Sequence, residues 1–411
     1  MAITGGGTGG HVYPALAVID GMRRILARGR DGAARADDAR DDRDARAGDS
    51  CAEPSRGDEL ELLWIGSRRK EAQILPKYGI DLVYVDIIPF KRSLSPKSIA
   101  HNLKLARNLM SGRAVKQAAA HLARFKPDLL LSTGGYVAYP ACVAAVKMVI
   151  PIYQIEPNAA PGLVTQKLAG RARMTYCATD ECALALGRAP TTATGIPVRD
   201  YSGLKSKQEI LDSFGLQAER VTVLVTGGSL GARFINNIVL EHIPALVESH
   251  SELVPSIQIL HQTGSGDLAE AQSLAKELPF PYSPVEYIDD MPEALYIADI
   301  LIGRSGASAV AEITHFGIPA IFVPYAHHKD RQQLRNALPL VDAGVACVHN
   351  ETEFDIDDFA FDFLELVRAC RNLELKARIR EFDSNAADAI AKSILEDTLG
   401  RDGKLRGSND V

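Results

Sequence analysis

Residues 302–336 read I-G-R-S-G-A-S-A-V-A-E-I-T-H-F-G-I-P-A-I-F-V-P-Y-A-H-H-K-D-R-Q-Q-L-R-N. An apolar run, Ile300–Ile302, meets Gly303 and Gly306. Helical spacing then opens on small residues and carries Glu312. A second apolar run, Ala320–Val323, ends in a polar stretch with Gln332, Gln333 and Asn336. Strand, glycine turn, helix and strand make the repeating unit of an α/β domain with a parallel sheet. At such a turn, backbone N–H groups can meet phosphate or carbonyl oxygens, and an acidic side chain one turn into the helix can accept from ribose hydroxyls. Taken alone, the stretch is equally an ordinary strand–helix–strand unit.

The same pattern recurs along the chain. Met1–Thr4 runs into G-G-G-T-G-G-H (Gly5–His11), with Pro14 in a tolerated early position and helical spacing over Ala15–Leu26. Leu129–Ser132 runs into T-G-G-Y (Thr133–Tyr136), and Val221–Val225 into T-G-G-S-L-G-A (Thr226–Ala232) with a helix over Phe234–Leu246. This restart about 220 residues after the first turn predicts two similar halves. Further strands are expected at Leu60–Trp64, Ile152–Ile155, Ile257–His261 and Val285–Ile288. Ile152–Ile155 leads into E-P-N-A-A-P-G (Glu156–Gly162), which puts a carboxylate and an amide at a strand's carboxyl end, where open parallel sheets bind ligands. T-G-I-P-V-R (Thr194–Arg199) closes the first half, with Arg199 suited to grip a phosphate through two N–H groups. The helical spacing of Ala386–Leu399 is expected to pack back on that half.

Composition narrows the function classes. At 411 residues the chain exceeds one comfortable core, which points to two domains. Its 46% hydrophobic and 24% charged content is that of a soluble globular protein, and the net charge of −6 argues against a general nucleic-acid binder. The six cysteines are scattered without zinc-ligand spacing and are expected to be reduced. Neither a secretory leader nor an apolar run long enough to cross a bilayer is visible. Residues 30–58 lack every large apolar side chain and are expected to form an unordered insertion. Residues 87–127 invert the charge: nine lysines and arginines, no acid, and interleaved Leu, Ile, Phe and Met. That segment suits an anionic membrane surface; the plainer alternative is a pair of amphipathic helices with solvated cations.

Nine motifs occur in one order over nearly the whole chain: G-G-T-G-G-H, T-G-G-Y, E-P-N-A-A-P-G, G-I-P-V-R, G-G-S-L-G-A, H-Q-T-G, Y-I-D-D-M, R-S-G-A and H-K-D-R-Q-Q. The set resembles the MurG family of glycosyltransferases. The resemblance implies an α/β chain of GT-B architecture, two doubly wound Rossmann-like domains facing each other across a cleft. Residues 1–199 would be an acceptor and membrane-surface domain, 200–384 a UDP-sugar donor domain, and 385–399 a helix returning to the first. The implied reaction is inverting transfer of N-acetylglucosamine from UDP-N-acetylglucosamine to the 4-hydroxyl of the muramyl unit of undecaprenyl-linked lipid I. The product is lipid II, no metal or other cofactor is called for, and the place is the cytoplasmic face of the plasma membrane.

The resemblance also assigns residues. On the donor side, Ser229 and Arg199 would meet the diphosphate, Ile288 the uracil through its backbone, and Glu312 the ribose. Ala307, Ser308, Ala309, Val310 and Ala311 would line nucleotide and sugar, with Gln332 and Gln333 on sugar hydroxyls. Thr8, Gly9, Gly10 and Asn158 would close on the reacting centre, and Gly134, Gly135 and Tyr136 would shape the acceptor side. His11 is the candidate base, since imidazole titrates near working pH; Glu156 is the other candidate, and His11 as a positioning group is the alternative. Pro157, Ile196 and the pair Ala138–Tyr139 depart from the family's usual residues, and of these Tyr139 and Pro157 bear on the acceptor pocket. The competing readings are a non-hydrolysing UDP-N-acetylglucosamine epimerase, a glycosyltransferase for another lipid, and a non-catalytic membrane-surface protein.

Overall fold

The computed structural model describes residues 1–6, 9–41, 60–87, 112–158, 160–199, 205–228, 232–326 and 331–399. The chain divides into two units, Met1–Asp200 with Asn385–Val411, and Tyr201–Ser384. In the first, the strands are β1 (Ala2–Thr4), β2 (Leu63–Gly66), β3 (Asp81–Tyr84), β4 (Leu130–Ser132), β5 (Ile152–Glu156), β6 (Met174–Cys177) and β7 (Thr191–Ala193). They lie in the order β3-β2-β1-β4-β5-β6-β7 with every pairing parallel. The second unit has β8 (Val221–Thr226), β9 (Ile257–Gln262), β10 (Tyr282–Val285), β11 (Ile300–Gly303), β12 (Ala320–Phe322) and β13 (Ala346–Val348). Their order is β10-β9-β8-β11-β12-β13, again all parallel.

Parallel strands covered on both faces must be apolar on both, and β8 shows it. Val223 and Val225 pack with Ile235, Ile259 and Phe363 on one face. Leu224 packs with Leu260, Ile297 and Ile313 on the other. In each sheet the chain starts in the middle, builds outward, then returns to the other side of the first strand. That makes β1/β4 and β8/β11 the switch points, where the loops beyond the strand ends diverge and leave room for a ligand. The glycine turns follow three of these four strands, and Arg304–Gly306 follows the last.

The last helix, Ala386–Leu399, belongs to the first unit although it follows the second in sequence. Ile390 and Ile394 are fully buried with Ile19 and Met22 of the first helix; burying each isoleucine contributes about 2 kcal/mol. Asp397 accepts from Tyr153 Oη at 2.6 Å and from two N–H groups of Arg173 at 2.9 Å each. Arg24 pairs with Asp388 at the helix's other end.

Several elements differ from the sequence reading. The first helix spans Gly9–Asp41, so His11 sits in its first turn rather than on a free loop, and the helix runs on into the stretch expected to be unordered. Residues 42–59, the rest of that insertion, lie outside the described residues. The strand expected at Val285–Ile288 is instead Tyr282–Val285, at the sheet edge where Pro284 is tolerated. Ile288's N–H leaves the ladder for a side chain, Gln262 Oε1 at 2.8 Å. β3, β6, β7 and β13 were not anticipated, being three or four residues long with polar members such as Asp81 and Thr191.

Of the basic segment, 88–111 lie outside the described residues. The helix Arg113–Phe125 buries Ala114, Ala118 and Leu122 and exposes Arg113, Lys116 and Arg124. Among the described residues, no helix is long and apolar enough to cross a membrane.

Candidate active site

In the first unit the ends of β1 and β4 stand side by side, Thr4 opposite Ser132. The two turns that follow are knotted through one residue. His11 Nδ1 lies 2.8 Å from the Thr133 carbonyl, and Thr133 Oγ1 donates to the His11 carbonyl at 2.5 Å. A carbonyl only accepts, so Nδ1 carries the proton and Nε2 is left with its lone pair. The Cδ2–Nε2 edge of the ring faces the second turn, each atom 3.4 Å from where a Cβ added to Gly135 would stand. The imidazole is thus held in one orientation.

Tyr136 begins the helix beside it. Burial pushes its phenol above the usual value, with Arg69 pulling it down and Glu71 pushing it up, so at neutral pH it is a hydroxyl and no base. The Arg69 guanidinium lies 6.0 Å from the ring centre.

Glu156 is buried at the end of β5, and all of its acceptor capacity is directed at its own loop. Oε1 accepts from the N–H of Asn158 at 3.1 Å and its side-chain amide at 2.8 Å. Oε2 accepts from the N–H of Gly162 at 3.0 Å and from Thr165 Oγ1 at 2.6 Å. A carboxylate holding four donors shapes the 157–162 loop and is poorly placed to take a proton. Asn158 is thereby oriented, its NH₂ spent on Glu156. Arg199 also stands in the first unit: its guanidinium lies 5.1 Å from the Tyr13 ring centre and 5.4 Å from that of Tyr78, whose hydroxyl it also bonds. Thr8 lies outside the described residues; Gly9 and Gly10 open the His11 helix.

In the second unit the site forms around β8 and β11. The helix Ala307–Phe316 starts on Gly306, which offers no side-chain cap, so the amides of Ala307, Ser308 and Ala309 are left for solvent or ligand. Val310 closes the first turn on the Gly306 carbonyl at 3.0 Å, and Ala311 and Glu312 are half-buried on the next. Gln333 Oε1 accepts from the Tyr325 N–H at 2.8 Å, so the group it presents outward is its NH₂. Gln332 is half-buried beside it; Ser229 lies outside the described residues. A cavity of about 660 Å³ opens here, lined among others by Gly227, Arg233, Arg304, Gln333 and Glu351. Arg304 donates to Glu351 at 2.5 Å and to the Val323 carbonyl at 2.8 Å, tying the ends of β11, β12 and β13 together.

The residue the sequence reading passed over is Gln262. Its Oε1 takes the Ile288 N–H, and its Nε2 donates to the Gly228 carbonyl at 2.9 Å and to Thr226 Oγ1 at 3.2 Å. One side chain therefore fixes the glycine turn and the segment expected to read uracil. With its N–H occupied, Ile288 has only its carbonyl to offer a base edge. The H-Q-T-G motif was the available signal, but nothing in it names the partners.

Next to it, His261 Nε2 lies 3.0 Å from Asn236 Oδ1 and Nδ1 lies 2.8 Å from Tyr282 Oη. Burial holds its pKa down to about 4, against a smaller upward pull from Asp267. Unfolded, this histidine takes a proton near 6.5; folded, only near 4. The unfolded chain therefore binds more protons between those values, and stability falls as pH drops through that window. Its full loss is about 3 kcal/mol. In His261→Gln, urea unfolding between pH 7 and 4 is expected to give a flatter stability curve than wild type. Parallel curves would refute the assignment.

The comparisons with known proteins fall on two stretches, the second running past the end of the second unit into the last helix. Residues 55–177 match the glycosyltransferase family 28 N-terminal domain and residues 222–394 the family 28 C-terminal domain. A UDP-N-acetylglucosamine–N-acetylmuramyl-(pentapeptide) pyrophosphoryl-undecaprenol N-acetylglucosamine transferase of Corynebacterium diphtheriae is 34% identical over 404 residues, 96% of each chain. The chain belongs to the MurG family. A relative of the same name from Halothermothrix orenii is 33% identical over 86% of each chain. The crystal structure of Acinetobacter baumannii MurG covers 96% of this chain and 98% of its own, with a TM-score of 0.59 at 23% identity. The UDP-GlcNAc 2-epimerase of Neisseria meningitidis, solved with UDP-GlcNAc, has the same TM-score of 0.59 at 14% identity, over 97% of this chain and 98% of its own. These structural likenesses concern the fold, and they show why fold alone does not separate MurG-family transferases from epimerases.

Proposed function

We propose that this MurG-family chain transfers N-acetylglucosamine from UDP-N-acetylglucosamine to lipid I, giving lipid II. The first unit presents the acceptor and the base, the second unit the donor. His11 Nε2 takes the proton of the muramyl 4-hydroxyl as that oxygen attacks the anomeric carbon with inversion and UDP leaves. The Thr133 carbonyl holds the ring in the working tautomer and accepts from the imidazolium that forms. Arg199 and the uncapped amides at Ala307–Ala309 meet the charge of the departing diphosphate, which makes the step independent of metal. Glu312 takes the ribose, the Ile288 carbonyl the uracil, and Gln332 and the NH₂ of Gln333 the sugar oxygens. Ser229, Thr8, Gly9 and Gly10 keep their assigned contacts, while Gly134, Gly135 and Tyr136 border the acceptor. Asn158 is held for the sugar by Glu156, whose role becomes structural.

The single observation that carries the reading is the clasp of His11 by Thr133, because it orients an imidazole nitrogen at a switch point of the first sheet. Labelled UDP-N-acetylglucosamine incubated with lipid I tests it. Label recovered in lipid II supports it; epimerised sugar nucleotide, or transfer only to another lipid such as diacylglycerol, overturns it.

The chain works peripherally on the cytoplasmic face of the membrane, with residues 87–127 toward anionic lipid. The outward basic side chains of the helix Arg113–Phe125 support this. Replacing Lys97, Lys104 and Arg107 together by Glu is expected to weaken cosedimentation with anionic vesicles, at about 1 kcal/mol per charge removed from the surface. Unchanged cosedimentation would sink the membrane-surface role.

A further inference from the structure

The first glycine turn poses a problem of rigidity. Gly5 and Gly6 have φ of +154° and +150°, a region that other residues rarely enter. Two such residues in succession have a large conformational entropy to lose, so something must select one path for the chain that leads to His11. The side chain doing so comes from the segment that follows the neighbouring strand. Glu71, on the short helix Lys70–Ile74 just after β2, is fully buried. Its Oε1 accepts from the Ser67 N–H at 2.8 Å and Ser67 Oγ at 2.6 Å, which anchors the carboxylate to the end of β2. The carboxylate then lies flat against the turn: a Cβ built on Gly6 would fall 2.6 Å from both Cδ and Oε1 and 2.8 Å from Oε2. The same turn borders the His11 clasp. The Gly6 carbonyl and His11 Nε2 flank one point on the second turn, 3.2 and 3.4 Å from where a Gly135 Cβ would stand, and a Cβ built on Gly5 would fall 1.9 Å from Thr133 Oγ1 and 3.5 Å from the His11 carbonyl. Trp64 adds a second tie from β2, donating to the Gly5 carbonyl at 3.0 Å.

We propose that Glu71 is a positioning residue for the transfer step, backing Gly6 so that the turn presents His11 Nε2 in one place. The inference rests on His11 acting as the base. Removing the carboxylate leaves a void behind Gly6, and the turn relaxes into it. The cost falls on the reacting geometry, where a displacement of an ångström is expensive, while the nucleotide contacts made by the second unit are untouched.

The test is steady-state transfer from UDP-N-acetylglucosamine to lipid I, with melting temperatures recorded for every variant. Glu71→Ala is expected to lower kcat about 10- to 100-fold with the KM for UDP-N-acetylglucosamine unchanged. Glu71→Gln keeps the length and an oxygen for Ser67, and should recover most of that loss. Glu71→Asp serves if alanine does not fold: it keeps the charge but withdraws the carboxylate from Gly6, and kcat should fall here too. Full kcat in the alanine or the aspartate variant overturns the proposal, as does a donor KM that rises in step with the loss. His11→Ala in the same assay separates the two levels of argument. Loss there with full turnover in Glu71→Ala sinks only the role of Glu71; full turnover in His11→Ala removes the base, and the inference with it.

Discussion

Replacing His11 by alanine is expected to lower turnover about 100-fold or more, the range a general base contributes, with the affinity for UDP nearly unchanged. The difficulty is that alanine removes two things. It deletes the Nε2 lone pair, and it leaves the Thr133 carbonyl without the partner it has at 2.8 Å. Losing that bond costs about 1 kcal/mol of stability, which could disturb the turn without saying anything about proton transfer. His11→Asn resolves the two. An asparagine amide can still donate to Thr133, so the clasp is kept while the base is gone. If His11 is the base, both variants lose turnover alike. If His11 only clasps the loop through Thr133, the asparagine variant works nearly as well as wild type, and the base assignment fails.

The contrast between what the sequence made legible and what it hid follows the range of the interactions. Strand, glycine turn and helix are local patterns, so both sheets, their parallel sense and the turns at the switch points could be anticipated from runs such as Val221–Ala232. The ordered motifs then made the family recognisable over most of the chain. What stayed hidden were pairings across strands. Glu71 sits 65 residues from Gly6 in sequence and touches it in the fold. Gln262 serves Gly228 and Ile288, which belong to segments on either side of it. Glu156 shows the same limit: the motif offered it as the second candidate base, and the four donors that fold back on it from residues 158–165 are visible only in the geometry. A strand is expected from sequence at Val285–Ile288, whereas in the fold a glutamine side chain claims the Ile288 N–H.

The second large effect is expected on the donor side. Gly227→Ala should weaken UDP binding by tenfold to a hundredfold. An added Cβ at Gly227 would stand 2.3 Å from both the Cβ and the backbone nitrogen of Ala232, and 2.8 Å from its Cα. Two of these are backbone atoms and the third is a Cβ fixed to them, at the start of the helix Arg233–Asn237 and not the soft end of a long side chain, so the helix start or the turn must move. Overpacking of this kind costs about 1–3 kcal/mol, and each 1.4 kcal/mol is about tenfold in affinity. The displacement does not stay local. Gln262 holds the Gly228 carbonyl with one end and Ile288 with the other, so a shifted turn pulls on the segment proposed to read uracil. Gly228→Ala is the matched control. Nothing stands within 4 Å of its Cβ position, and the penalty is only the strain of φ +91°, about 1–2 kcal/mol of stability. Calorimetric titration with UDP should therefore rank the two variants clearly, Gly227→Ala far weaker than Gly228→Ala. Equal affinities would mean that the turn gives way easily, and that the glycine at 227 is not what shapes the donor site.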